Sequence, residues 1–184
     1  MSTNPNYQVI PFPLPPYLAS FFANQITTEP VLTRDGSKAK PFKVRRDSRF
    51  GSFLLRQLTK TNRPVIVSEG DIFFIEVSEI QTKKTKDIVD ARYSFLNFKS
   101  EDIVEIQDVF KLIFESILIE YVSGFRDGIT TIEPSKKRGV LHNGIMLFCK
   151  KYGVVFSNKN ISSWKRMLNR HKNKAKSNTI RMLY

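Results

Sequence analysis

The longest periodic run of apolar positions lies at 102–125. Ile103, Ile106, Phe110, Ile113, Ile117 and Tyr121 recur at steps of three and four residues, the spacing that lines one face of an α-helix. Val109, Leu112, Leu118, Ile119, Val122 and Phe125 widen that face until most of the circumference is apolar. Such a helix is wrapped by protein on several sides, so it is expected as the central element of the core. Ser100-Glu101-Asp102 suits its start, with a hydroxyl cap and carboxylates where the helix dipole favours them. Gly124 or Gly128 is the expected stop.

Strand patterning is confined to the middle of the chain. Over 72–77 the residues alternate: Ile72, Phe74 and Glu76 point one way, and Phe73, Ile75 and Val77 the other. The second set is the more apolar and is the expected core face. Val65-Ile66-Val67 precedes it across Ser68-Glu69-Gly70-Asp71, which predicts a β-hairpin. A third short strand is expected at 93–98.

Shorter helices are expected at 17–26, with Leu18, Phe21, Phe22 and Ile26 on one side, and from a Ser48 or Ser52 cap to about Leu58. Residues 27–43 read as a loop marked by Pro30, Asp35-Gly36 and Pro41. Pro5, Pro11, Pro13, Pro15 and Pro16 preclude a helix over 1–16 and disfavour a central strand. Ile10, Phe12 and Leu14 alternate with them, so an extended arm that packs on its own domain or on a neighbour is expected.

Beyond Glu133-Pro134-Ser135 the composition changes. Ile145, Phe148, Cys149 and Tyr152 recur at helical spacing over 141–152, with Lys150 and Lys151 at the favourable C-terminal end and Gly153 as terminator. After Val154-Val155-Phe156, Ser157 or Asn160 caps a second helix at 161–172. Ile161, Trp164 and Leu168 form its stripe, with His171 extending it. Two short helices joined at a Gly turn resemble a helix-turn-helix over about thirty residues. The resemblance makes 161–172 the recognition helix. The connection 154–160 is longer than the tight turn of the compact motif. The expected organisation is an arm at 1–16, an α+β core at 17–134, a basic helical module at 135–172 and a basic tail at 173–184. The fold class is α+β, a small antiparallel sheet with a long buried helix, followed by that helix-turn-helix-like module.

Charge then changes the picture. From Ser135 to Tyr184 there are thirteen Lys and Arg and no Asp or Glu, so this segment carries the net +13 of the whole chain. A second basic block at 34–60 has net +7, and 61–134 has net −6. Cations segregated in this way suit an anionic partner, above all nucleic acid. A membrane surface, an acidic protein and a merely solvated face are the competing readings. The contact candidates are Lys150, Lys151, Lys159, Ser162, Lys165, Arg166, Asn169, Arg170, Lys172, Lys174 and Lys176, with Arg45, Arg46 and Arg49 from the earlier block. Of these, Ser162, Lys165, Arg166 and Asn169 are placed to reach base edges.

Catalytic chemistry finds little support. His142, His171 and Cys149 lack metal-ligand spacing, and no phosphate-cradling glycine loop or serine elbow is present. Asp71-x4-Glu76-x-Ser78, with Glu69 beside it, resembles a restriction-type nuclease pattern but has serine where that pattern needs lysine. No catalytic residue, metal or cofactor is therefore expected. The single cysteine rules out an internal disulfide. The absence of a signal-peptide pattern and of a ~20-residue apolar run points to a cytoplasmic protein without a membrane partner. The expected function is non-enzymatic DNA binding, with DNA ahead of RNA, by a regulator or accessory factor of replication, recombination or a mobile element. The alternative is a structural or assembly protein of a phage-like nucleoprotein particle, whose N-terminal arm would join copies into a homo-oligomer.

Overall fold

The computed structural model describes residues 7–33, 38–45, 48–63, 71–78, 94–132 and 138–181, the side chains of 71, 78 and 174–181 excepted. The fold is mixed α+β. It divides into two compact units, Met1–Lys111 and Leu112–Tyr184, with the division inside a long helix, α3 (Ser100–Ile132). The compositional change at 133–135 lies outside the described residues.

The proline-rich N-terminal segment is a strand. β1 (Tyr7–Leu14) runs antiparallel to β6 (Asp71–Ser78), with Ile10 opposite Ile75 and Phe12 opposite Phe73. β4 (Phe42–Lys43) pairs in parallel with β6, so the sheet order is β1-β6-β4 and the sheet is mixed rather than purely antiparallel. An edge position explains how Pro11 and Pro13 fit in a strand, because the N–H groups they lack are not needed on the unpaired side. Tyr7–Leu14 are thereby committed to the chain's own sheet. The first strand of the expected hairpin, 65–67, lies outside the described residues.

Alternation decides which face is buried. Gln8, Ile10, Phe12 and Leu14 of β1 are buried, as are Phe73, Ile75 and Val77 of β6. This is the face expected for β6, while Ile72 on the other side is 43% exposed. Gln8 is the polar exception, and its amide is satisfied at both ends. Nε2 donates to the Ser94 carbonyl (2.7 Å) and Oε1 accepts from the Leu96 N–H (3.0 Å), as a buried amide requires.

α1 (Pro16–Gln25) follows at once, with proline in its first turn, where an N–H would have no helical partner. α2 (Arg49–Arg56) is capped as expected by Ser48, whose Oγ accepts from the Gly51 N–H (2.9 Å). It ends before Leu58, which opens β5 (Leu58–Thr61) instead. β5 pairs antiparallel with β7 (Phe95–Phe98), a strand anticipated from the sequence. The expected loop at 27–43 contains β4 and a two-stranded ladder of β2 (Val31–Leu32) and β3 (Lys38–Ala39). Runs of two residues leave no periodic trace in a sequence.

Phe110 of α3 is the hub of the first unit. The rings of Phe12, Phe22, Phe50 and Phe73 lie 6.1, 4.8, 5.3 and 5.6 Å from its own. α3 is less wrapped than its composition suggests. Its buried residues are Ile106, Phe110, Phe114, Leu118 and Val122, whereas Val104 and Leu112 are 63% and 64% exposed. Steps of four residues drift about 40° each around a helix of 3.6 residues per turn, so the buried stripe winds along α3. The helix also passes through both Gly124 and Gly128, where it was expected to stop. Neither glycine has positive φ among the described residues, and a glycine with helical dihedrals weakens a helix without terminating it. No described helix is long and apolar enough to cross a membrane.

Candidate functional site

The basic segment belongs to the second unit, which is built from α3 beyond Leu112, α4 (Val140–Tyr152) and α5 (Asn158–Arg181). Aromatic rings join these helices. Phe148 of α4 meets Phe114 at 5.6 Å and Tyr121 at 5.5 Å, and Trp164 of α5 meets Phe114 at 5.3 Å. A Cβ on Gly144 would lie 3.0 Å from Phe125 and 3.2 Å from Val122, so this glycine lets α4 approach α3 closely. Gly153 ends α4 in the left-handed region (φ 62°, ψ 35°), and the Val154 N–H donates to the Cys149 carbonyl at 2.9 Å. That is the expected helix stop.

α5 begins one turn earlier than the hydrophobic spacing implies and continues through Arg181. Its start is a reciprocal cap. The Asn160 N–H donates to Ser157 Oγ (3.3 Å), and Asn160 Oδ1 accepts from the Ser157 N–H and hydroxyl, both at 2.8 Å. This is the logic of a capping box with asparagine in the third position. Ile161, Trp164 and Leu168 are buried as expected, at 8%, 4% and 6% exposure. His171 is exposed and does not extend the stripe.

The α-helical period places Lys159, Arg166 and Arg170 within about 40° of one another, on the face opposite that stripe. All three are exposed. Ser162 and Asn169 flank them and are exposed too, and the Arg166 Nε donates to the Ser162 carbonyl at 3.4 Å. Half-buried Lys165 and exposed Lys172 stand nearer the packed side. Among the described residues no carboxylate pairs with Lys150, Lys159, Lys165, Arg166, Arg170 or Lys172. Lys151 differs. Its ammonium sits 5.2 Å from the Tyr121 ring and 5.3 Å from the Tyr152 ring, a cation–π arrangement internal to the unit.

The side chains of Lys174 and Lys176 lie outside the described residues, as does Arg46. Exposed Arg45 and Arg49 belong to the first unit, beside the Ser48 cap. Glu76 pairs with Lys43 at 3.6 Å, Glu69 and the Asp71 side chain lie outside the described residues, and no metal-ligating cluster occurs among those described. Burial pushes the Cys149 thiol up to about 11, which keeps it protonated and unreactive at neutral pH.

Two features lie beyond what hydrophobic spacing reveals. The ring of Phe114 was lost among the many apolar positions of α3. The Val155-Phe156 pair, legible only as a turn, stands exposed between α4 and α5, at 61% and 37%. No protein-family model, no curated protein and no solved structure matches this chain.

Proposed function

We propose that the second unit binds nucleic acid, DNA ahead of RNA, through the exposed basic face of α5, and that the protein is a non-enzymatic regulator or accessory factor acting on DNA. One observation carries the reading: Lys159, Arg166 and Arg170 share the solvent face of a helix whose opposite face is anchored by Trp164. Among the described residues no carboxylate neutralises them. Cations on the exposed face of a packed helix suit contacts to phosphates, and arginine forks add bidentate ones. α4 and α5, joined at Gly153, serve in this reading as a helix-turn-helix-like pair with α5 presented to the groove.

The experiment is a mobility-shift assay with the full chain and the triple variant Lys159→Ala/Arg166→Ala/Arg170→Ala. The intact protein retards duplex DNA at low salt, and the variant, folded by circular dichroism, loses most of that affinity. A folded variant that binds as well as the intact chain refutes the α5 face as the contact surface.

A further inference from the structure

We propose that Val155 and Phe156 form an apolar tip that receives an unpaired nucleobase, so that strands with accessible bases gain a contact that continuous duplex lacks. The inference rests on the nucleic-acid reading above and narrows its ligand.

The tip is held from both sides. Before it, Gly153 closes α4, Val154 is buried at 5% exposure, and the Val154 N–H is tied to the Cys149 carbonyl. After it, the reciprocal Ser157–Asn160 cap fixes the first turn of α5. Only two residues separate these anchors, so the connection presents the pair in a fixed place instead of folding it inward. Phe156 also stands apart from the ring cluster of Phe114, Tyr121, Phe148, Tyr152 and Trp164.

The surroundings select the occupant. Exposed Lys150 precedes the tip and exposed Lys159 follows it. The N-terminus of α5, with its partial positive charge, begins two residues after Phe156. An exposed apolar pair flanked in sequence by exposed lysines matches a ligand that is itself apolar and carried on a polyanion, as a base is on its phosphate chain. Trp164, the only tryptophan, cannot serve because it is 4% exposed inside the core. Among the described residues, the exposed ring beside the basic helix is that of Phe156.

The test compares the full chain with Phe156→Ala and Phe156→Tyr by fluorescence anisotropy on labelled oligo-dT and on a mixed-sequence duplex, at one salt concentration. Unchanged circular dichroism and thermal midpoint establish folding of each variant. Loss of one stacked base lowers affinity about five- to one-hundred-fold. Phe156→Ala is expected to show that loss on oligo-dT while duplex affinity stays within about twofold, and Phe156→Tyr restores oligo-dT binding. Equal losses on both ligands, or none, overturn the inference and leave the charge-based reading standing. If the intact chain binds neither ligand at low salt, the reading and the inference fall together.

Discussion

The indole of Trp164 rests on the ring of Phe114, with centroids 5.3 Å apart and planes tilted by 44°. This contact makes the basic helix part of a packed unit. Truncating Trp164 to alanine removes a large buried side chain and is expected to cost about 3–5 kcal/mol. The intact protein should show blue-shifted tryptophan emission that iodide does not quench. Exposed, readily quenched emission would contradict the packing.

Two glycines are expected to respond to alanine in opposite directions. A Cβ on Gly51 would run into the Arg45 carbonyl oxygen, so Gly51→Ala forces backbone apart and should destabilise by about 3 kcal/mol. A Cβ on Gly124, inside α3, meets nothing within 4 Å. Gly124→Ala should therefore stabilise by about 0.5–1 kcal/mol through helix propensity alone. Urea melts of the two variants give the signs.

The Cys149 thiol is raised from 9.0 to about 11 by burial. A folded-state value above the unfolded one means that its contribution to stability is complete below pH 9 and is lost as pH rises through about 11. Stability of the wild type should fall more steeply across that window than stability of Cys149→Ala. A thiol reagent at pH 8 should react with the unfolded chain and hardly at all with the folded one.

Local signals made part of this fold legible. Ser48 as a cap, the Phe73/Ile75/Val77 face, the Gly153 stop and the Ile161/Trp164/Leu168 stripe all follow from rules that act over a few residues. What escaped depends on distant partners. The pairing of β1 with β6 joins segments far apart in sequence, and prolines disguised β1. The start of α3 at Ser100 was legible, but its C-terminal end was not, because glycine marks a helix end only where the chain turns, and at Gly124 and Gly128 it does not. At the candidate site the charge was plain from composition. The sharing of one face by Lys159, Arg166 and Arg170 needed the earlier start of α5. The engagement of Lys151 with Tyr121 and Tyr152 needed the packing of α4 on α3.

Position along α5 separates readout from attraction. Arg166→Ala and Asn169→Ala should lower affinity for a preferred sequence by about 1–3 kcal/mol more than for random duplex. Lys172→Ala should weaken both alike. Competition assays with selected and random duplexes distinguish the two. Uniform losses across all three variants would mean that α5 clamps phosphates without reading bases.

The salt dependence of DNA binding by the intact protein tests the central claim most directly. Each phosphate neutralised on duplex DNA lowers log affinity by roughly 0.9 per decade of salt. Five or six contacts from the exposed cations of the second unit should therefore give a slope of roughly −5. A straight line of that steepness, flattened when Lys159, Arg166 and Arg170 are removed together, is the predicted result. An affinity that does not change with salt, or no binding at low salt, would contradict nucleic-acid recognition by this face.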